Sequence, residues 1–338
     1  MKVFGKNITQ EQRDLLRLTA SKDEEVMKKH RQALAQQLSG AFRDAILEED
    51  SLDGIFQMIM LEPGGDSRFP LDFLNPGDEE DFIAWVMPKE GGIPHRFIEG
   101  DELWVPTYEI KNSIDWPLRY ARDACWDVIA RAMAVFRYGF TRKLNDDGWH
   151  TLIAAAVGNG RVVDAAAGAG VLTKRLLTSL MTGIKRLAGG RESKVTDLYL
   201  SPEALADIRN WGEDEIDNLT RREVFTSRNE AVLPNIFGMN LHELQELGEG
   251  QRYQTYIAAS TGGNKASWFT GGGGSDTEFV VAADLTNRPM YPFVQPTRED
   301  LAVFDDPMLH RGARAGFYGW LETGFAVLDS RYLLIGTL

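Results

Sequence analysis

Residues 105–116 read Val-Pro-Thr-Tyr-Glu-Ile-Lys-Asn-Ser-Ile-Asp-Trp, and they lead into the longest helical pattern of the sequence. From about Trp116 to Leu144, apolar residues recur at spacings of three and four, which predicts one face of a helix. Asp115 and Pro117 are typical of a helix start. We therefore predict a helix roughly 43 Å long at 1.5 Å per residue. Its predicted apolar stripe consists of Ala121, Cys125, Val128, Ala132, Val135, Phe136 and Phe140.

The stretch before this helix has the composition of extended chain and turns. Seven prolines lie between positions 63 and 117, and the pairs Gly64-Gly65 and Gly91-Gly92 mark turns. Runs of β-branched and aromatic residues between them predict short strands at 82–87, 96–98 and 103–110. We predict a long two-stranded extension. Because an isolated hairpin is only marginally stable in water, the extension should rest on a partner surface.

The charge of the chain is concentrated in this stretch. The 338 residues carry a formal net charge of −13; residues 51–115 contain fourteen acidic and four basic side chains, whereas residues 1–50 contain nine of each. An acidic chain is a poor candidate for a protein whose main task is to grip nucleic acid phosphates, since that task needs clustered Lys and Arg. The segment is either a solvated acidic surface or an arm that docks on basic patches of neighbouring subunits.

The first fifty residues predict helix with breaks, because apolar side chains recur at helical spacings: Val26, Leu34, Leu38, Phe42 and Ile46. An amphipathic helix must bury its apolar side against something. The residues alone leave open whether this is an ordinary core helix or a docking arm.

A mixture of helices and strands follows the long helix, whose end is predicted by Asn145-Asp-Asp-Gly148. Helices are predicted at 151–156, at 172–187 and from Pro202, and strands at 195–200 and 279–283. Residues 261–275 are too rich in glycine to pack and indicate an exposed loop. Strand-like runs alternate over the last fifty residues and end at 325–335. The fold class that follows is α+β.

One segment resembles a cofactor-binding motif. Residues 162–170 read Val-Val-Asp-Ala-Ala-Ala-Gly-Ala-Gly, similar to the first motif of S-adenosylmethionine-dependent methyltransferases, in which a strand ends in an acidic residue before a glycine turn and a helix. Gly168 and Gly170 match, but Ala166 replaces the first glycine, and Asp197 does not close a following strand as a ribose-binding acid would. The competing interpretation is a plain connection beside a packed helix.

The sequence carries no signature of the other nucleotide, catalytic or metal sites that were considered. No phosphate loop ends in Gly-Lys-Ser/Thr, no Gly-x-Ser-x-Gly elbow occurs, and the histidines show no metal-ligand spacing: His30, His95, His150, His242 and His310. Cys125 is the single cysteine, which excludes an intramolecular disulfide, and its place on the apolar stripe indicates packing. We therefore expect no enzyme, with no catalytic residue, no cofactor and no metal. The lack of a signal-like start or a long apolar run predicts a soluble protein of a reducing cytoplasm, without membrane contact.

Taken in order, these features resemble the major capsid proteins of tailed bacteriophages with the Hong Kong 97-type fold. The more specific parts are the junction at 105–116, the segment Leu198-Tyr-Leu-Ser-Pro-Glu-Ala-Leu-Ala-Asp-Ile-Arg209, similar to the strand and helix of the axial domain, and the tail at 317–332, similar to the closing strands. The resemblance covers most of the chain and rests on the order of elements more than on any single motif.

The resemblance implies an organisation: an N-terminal arm (1–52), an extended β-hairpin loop or E-loop (53–113), a peripheral domain with a long spine helix (114–150), an axial domain (151–290), and a return to the peripheral domain with the C-terminal strands (291–338). It also implies self-assembly into hexameric and pentameric capsomers of an icosahedral head shell, with the acidic loop lying over a neighbour. Partners would be further copies, a portal, scaffolding or decoration proteins, and packaged double-stranded DNA on the inner face, bound without sequence specificity. The protein would assemble in the host cytoplasm and reside in the virion.

Two departures from the family pattern matter. Only about fifty residues precede the loop, so any scaffolding should come from a separate protein. The founding member joins a loop lysine to a peripheral-domain asparagine; Lys89 and Lys111 could supply the amine here, but no asparagine follows Asn287. No isopeptide network is therefore expected. A cargo-enclosing, encapsulin-like compartment shares the fold and is the alternative within this class.

Overall fold

The structure is a computed structural model in which the chain forms two compact units. Unit 1 comprises Met1–Ser67, Val105–Asp147 and Gln295–Phe325; unit 2 comprises Arg68–Trp104, Gly148–Val294 and Ala326–Leu338. The structure describes residues 18–19, 24–48, 51–52, 54–62, 64–71, 102–122, 126–164, 171–187, 193–211, 235–248, 251–253, 278–286 and 291–338.

The described part of the chain contains both helices and strands. The helices are α1 (Glu24–Glu48), α2 (Leu118–Arg122), α3 (Trp126–Gly158), α4 (Lys174–Leu187) and α5 (Pro202–Asn210). The strands are β1 (Gln57–Met60), β2 (Arg68–Pro70), β3 (Glu102–Trp104), β4 (Tyr108–Pro117), β5 (Val162–Asp164), β6 (Asp197–Leu200), β7 (Asn235–Ile236), β8 (Met239–Glu243), β9 (Phe279–Ala283), β10 (Phe293–Asp305), β11 (Arg314–Thr323), β12 (Ala326–Val327) and β13 (Leu333–Thr337). The fold class is α+β, as predicted.

Unit 1 is built on a sheet with the strand order β1-β10-β11-β4. Strand β11 pairs antiparallel with both of its neighbours, and its pairing with β4 runs unbroken from Tyr108↔Thr323 to Pro117↔Arg314. Gly316 permits the close pairing, because a Cβ at this position would collide with the backbone oxygen of Ile114.

Helix α3 covers one face of this sheet. Its buried side chains recur at spacings of three and four: Met133, Phe136, Phe140 and Leu144. They share a core cluster with alternate residues of the strands: Ile110, Trp116, Leu301, Val303, Ala315, Phe317 and Leu321. Full burial of one such side chain contributes about 1.5–3 kcal/mol. Gly139 allows the close approach of helix and sheet, since a Cβ there would lie 2.7 Å from Asn112 Nδ2.

Helix α1 packs on the same unit through its middle. Ala35 is buried in the core cluster, and Ser39 Oγ accepts a hydrogen bond from the Val303 N–H at 3.2 Å. Arg31 is buried, donates from Nε to the Thr19 carbonyl at 2.8 Å, and lies 3.8 Å from the Asp305 carboxylate. The described part of α1 therefore packs on its own chain through Arg31 and Ala35. The side chains of Leu38, Phe42 and Ile46 lie outside the described residues.

Helix begins at Leu118 with α2, two residues after the predicted start at about Trp116, and residues 123–125 between α2 and α3 lie outside the described residues. Asp115 and Pro117 were expected to open it, but both belong to β4, so this prediction is wrong. Trp116 is buried in the sheet core, and the pairing of β4 with β11 continues to Pro117. Tertiary pairing thus outweighs a local pattern that resembles a helix cap.

The long helix also ends later than predicted, because α3 continues to Gly158. The end expected at 145–148 is wrong, and the helix at 151–156 is part of α3. Asp146 and Trp149 are buried within it, and burial outweighs the weak helix propensity of Asn, Asp and Gly. Val135, placed on the apolar stripe by its spacing, is 58% exposed instead. The side chains of Ala121, Cys125 and Val128 lie outside the described residues.

Unit 2 contains a six-stranded mixed sheet with the order β5-β13-β9-β6-β8-β7. The pairs β5/β13 and β6/β8 are parallel, whereas β9 is antiparallel to both β13 and β6. The strands predicted at 195–200 and 279–283 are confirmed as β6 and β9, and every residue of both is buried. A separate short ribbon pairs β2 with β3.

Two predicted helices of unit 2 are confirmed as α4 and α5. Helix α4 buries Leu176, Leu177, Leu180 and Ile184 on one face. The Ser201 side chain caps α5 by accepting from the Ala204 N–H at 2.9 Å, and Pro202 stands in the first turn. Both helices share a core cluster with β6, β9 and β13. The predictions at 82–87, 96–98 and 261–275 lie outside the described residues.

Candidate functional site

The segment that resembles a methyltransferase motif does not stand where such a cofactor would bind. In a doubly wound sheet, nucleotides bind at the carboxyl ends of parallel strands, where the strand order reverses. Val162–Asp164 forms β5, which pairs with β13 alone among the described strands and lies at the edge of a mixed sheet. Residues 165–170 lie outside the described part. Asp197 opens β6 rather than following it, so the methyltransferase hypothesis gains no support.

Asp197 is instead engaged by its own neighbours. Its Oδ1 lies 2.8 Å from His242 Nε2 and accepts from Asn240 Nδ2 at 3.1 Å, across the parallel pair β6/β8. Burial opposes ionisation of Asp197, but hydrogen bonds from His242, Thr196 and Asn240 outweigh it and lower the pKa of the carboxyl. The His242 ring stacks on Tyr199 at 4.7 Å. These contacts connect the neighbouring strands β6 and β8.

A second carboxylate, Asp284, lies fully buried at the end of β9. It accepts from Ser193 Oγ at 2.6 Å, from the Lys194 N–H at 3.1 Å, and from both the N–H (3.1 Å) and the hydroxyl (2.6 Å) of Thr286. Burial opposes its ionisation, yet these donors together lower its pKa. Asp284 therefore ties the chain before β6 to the chain after β9.

The base of the predicted extension is fastened to α3 within unit 1. The Tyr108 hydroxyl donates to Asp147 Oδ2 at 2.8 Å, and Lys143 Nζ lies 2.6 Å from Asp147 Oδ1. Burial raises the pKa of the Tyr108 hydroxyl, and the hydrogen bond to Asp147 and the negative charge of Asp147 raise it further. Thr107 donates its hydroxyl to Glu322 at 2.5 Å. These contacts fix the point where β4 begins.

The histidine side chains that the structure describes lie on three different elements. His150 is exposed on α3, His30 is half-buried on α1, and His242 pairs with Asp197; His95 and the His310 side chain lie outside the described residues. Within the described ranges, no group of three His, Cys, Asp or Glu side chains is placed to hold a metal ion. Among the same residues, no helix is long and apolar enough to cross a membrane.

The sheet face of unit 1 that is turned away from α3 carries a row of aromatic side chains. Phe304, Tyr318 and Trp320 stack with ring centroids 4.6 to 5.7 Å apart, and we call them the aromatic row. Trp320 Nε1 donates to Glu299 at 2.8 Å, and Phe304 is 39% exposed. Contiguous aromatic side chains at a surface mark contact sites between proteins. Sequence reasoning missed this row, although the alternation along β11 was its signal.

The comparisons with known proteins concern the fold of the chain. No family model matches the sequence, and no curated protein matches it. Solved structures do match along most of the chain, and phage capsids are among them. The chain has the fold of a tailed-phage major capsid protein, as the resemblance in the sequence predicted.

Three of these solved structures have TM-scores above 0.5 with this chain. A chain from Microbacterium phage Oxtober96 is 12% identical with a TM-score of 0.57, over 86% of this chain and 90% of that one. The capsid of the native GTA particle is 13% identical with a TM-score of 0.53, over 85% and 89%. The mature capsid of bacteriophage PhiM1 is 11% identical with a TM-score of 0.51, over 86% and 87%. At such identities the likeness establishes the fold.

Proposed function

We propose that this chain is the major coat protein of a tailed double-stranded DNA phage and that it self-assembles into the icosahedral head shell. The observation that carries the proposal is the likeness in fold to the PhiM1 capsid chain, which spans 86% of this chain and 87% of that one. The fold match therefore extends along most of this chain.

The role is structural rather than enzymatic. The buried carboxylates Asp197 and Asp284 hold strands and loops of their own chain through short hydrogen bonds. A coat protein needs such rigid units, together with surfaces that only a neighbour completes. The partly exposed aromatic row of unit 1 is one surface of this kind.

The finer organisation belongs to the same proposal. Residues 1–52 would form the arm, 53–113 the extended loop, 114–150 the peripheral domain with the spine helix, 151–290 the axial domain and 291–338 the peripheral return. The ribbon of β2 and β3 supports the loop assignment, because it pairs residues just before and just after the stretch 72–101. Capsomers of six and five copies, a portal, separate scaffolding or decoration proteins, and packaged DNA on the inner face would be the partners. Assembly would occur in the host cytoplasm, and the product would be part of the virion.

Electron microscopy of the purified full-length chain tests the proposal. Rings of five and six copies and closed shells are the expected products. A small monomer that binds S-adenosylmethionine in a calorimeter would refute it. Shells filled with a cargo protein rather than DNA would favour the encapsulin-like alternative.

The chemistry of the shell can be checked separately. Lys89 and Lys111 have no asparagine beyond Asn287 with which to form a peripheral crosslink. Particles boiled in detergent should therefore run as monomers on a denaturing gel. A ladder of covalent oligomers would contradict this prediction.

A further inference from the structure

A tight turn of unit 2 carries an aromatic side chain in a strained backbone conformation. Ile236 and Met239 pair directly, so Phe237 and Gly238 alone form the turn between β7 and β8. Both residues have a positive φ, 51° and 82°, as the type I′ hairpin turn requires. Glycine and asparagine adopt this left-handed conformation readily, whereas a bulky side chain in it strains the backbone.

The Phe237 side chain stands out from a well-packed base. Ile236 and Met239, on either side of the turn, are buried in the core cluster of unit 2. Phe237 itself keeps 45% of its surface in water. The Lys174 ammonium, at the start of α4, lies 5.6 Å from the centroid of its ring. The exposed ring therefore has a positive charge beside it.

A chain of hydrogen bonds holds this turn in place. The Gly238 N–H donates to Asn235 Oδ1 at 3.1 Å, and Asn235 Nδ2 donates to Asn240 Oδ1 at 3.3 Å. Asn240 Nδ2 in turn donates to Asp197, the carboxylate that also contacts His242. The turn is thus connected to the middle of the sheet, and a ring held in this way loses little conformational entropy when a partner covers it.

Exposure alone would not carry an inference, because single exposed aromatic residues are common on protein surfaces. Phe237 differs from such residues in two respects. Its backbone conformation is one that an asparagine would adopt without strain, and the turn that carries it is fixed by its own hydrogen-bond network. Strained residues cluster at binding sites, and rigid aromatic side chains are preferred anchors of protein interfaces.

Charge indicates the kind of surface that the ring meets. Residues 171–187 contain four basic and no acidic side chains, and Lys174 and Arg175 are exposed. The whole chain has a net charge of −13. Copies of such a chain repel one another, except where basic side chains of one copy meet the acidic surface of the next. A second copy of this chain therefore offers the complementary charge.

We propose that Phe237, with Lys174 beside it, anchors a contact between unit 2 and an acidic surface of a second copy of this chain. The proposal rests on the coat function proposed above, to which it adds a contact residue. The strain of the turn lowers the stability of the free subunit, and burial of the ring in the assembly offsets it.

The variant Phe237→Asn in the full-length chain tests this contact, because its two expected effects have opposite directions. Asn-Gly is the preferred pair in a type I′ turn, so the variant subunit should unfold at a higher urea concentration than the wild type. The same variant lacks the anchor, so the protein concentration needed for shell formation should rise about tenfold. Light scattering during assembly, with electron microscopy of the products, measures the second effect.

The matched control is Ala313→Asn. Among the described residues, Ala313 is the other non-glycine residue with a positive φ, 52°, and it is exposed. The control introduces the same residue in the same conformation and removes no aromatic ring. It should stabilise the subunit and assemble at the wild-type concentration. A second variant, Phe237→Tyr, keeps the ring and should also assemble as the wild type does.

The outcomes separate this inference from the coat function. If the wild type forms shells and Phe237→Asn forms them at the same concentration, Phe237 is an ordinary turn residue and the inference is overturned, while the coat function stands. Equal assembly defects in Phe237→Tyr and Phe237→Asn would overturn it too, as would Phe237→Asn shells that form normally but hold less DNA. If the wild type forms no shells, the coat function itself fails, and the inference fails with it.

Discussion

The sheets of the two units differ in how completely the chain covers them. In unit 2, every residue of β6, β9 and β13 is buried, and α4 and α5 pack into the same core cluster. In unit 1, α3 covers one face of the sheet, while the opposite face carries the partly exposed aromatic row. The central strands of the unit 2 sheet are covered by their own chain, whereas unit 1 leaves surfaces whose apolar side chains gain from a neighbour. Open surfaces of this kind agree with the coat function that we propose.

The largest expected effect comes from the covered face of unit 1. Phe136 is 1% exposed and stacks edge-on against Phe140 at 5.1 Å. Phe136→Ala should lower the free energy of unfolding by about 3–5 kcal/mol, since it removes buried surface and leaves a cavity. Urea denaturation of the unassembled subunit measures the loss.

The preceding residue of the helix, Val135, is the matched control. Val135 is 58% exposed, so Val135→Ala should change the free energy of unfolding by less than about 0.5 kcal/mol. Equal losses for the two variants would mean that α3 does not distinguish a covered face from an open one.

The second effect probes the core of unit 2. Asp284 is fully buried and accepts four hydrogen bonds from Ser193, Lys194 and Thr286. Asp284→Asn should lower the free energy of unfolding by about 2–3 kcal/mol at neutral pH, because the amide nitrogen cannot accept and faces existing donors. Ser193→Ala, which removes one donor and keeps the charge, should cost less.

The pH dependence of Asp284 follows from the direction of its pKa shift. The folded pKa lies below the ordinary value of 3.8, so the folded state favours the ionised carboxylate. Its contribution to stability is therefore complete above the unfolded pKa and declines as the pH falls below about 4, towards the folded pKa. Wild type and Asp284→Asn should converge in stability on acidification. A difference that stays constant down to strongly acidic pH would contradict this mechanism.

The third effect concerns the fastening of β4 to α3 in unit 1. Tyr108→Phe removes the hydroxyl that donates to Asp147 at 2.8 Å and leaves the ring in place. Because Asp147 keeps its ion pair with Lys143, the loss should be about 0.5–1.5 kcal/mol. Thermal unfolding of the subunit measures it, with Tyr138→Phe, an exposed tyrosine elsewhere on α3, as the control. A shift no larger than that of the control would show that the fastening contributes nothing.

Local sequence patterns predicted much of unit 2. They failed where contacts between residues far apart in the sequence determine the local structure. The leucines of α4 and the Ser201-Pro202 cap of α5 are local signals, and both helices lie where those signals place them. Residues 115–117 carry a local pattern like a helix start, yet they are strand because β11 pairs with them; Arg314 contacts Asp115 across 199 residues of sequence. The pairing of Asp197 with His242 is of the same kind, since 45 residues separate them and only the parallel strands bring them together. The order of helices and strands in the sequence was enough to predict the fold of the capsid proteins. The contacts that form surfaces such as the aromatic row could not be predicted from it.

The smallest expected effect on stability lies on the open face of unit 1, in the aromatic row. Phe304→Thr introduces a β-branched residue, which strands favour, into β10 and removes a ring that is 39% exposed. Its ring contacts Trp320 at 4.6 Å and Tyr318 at 5.6 Å, so some cross-strand attraction is lost, worth about 0.5–1 kcal/mol. The same variant should raise the protein concentration needed for shell formation by more than this loss explains, if a neighbouring copy covers the row. Denaturation of the subunit and light scattering during assembly give the two quantities in one preparation. A loss in subunit stability as large as that of Phe136→Ala would mean that the row is core, and the contrast between the two units would disappear.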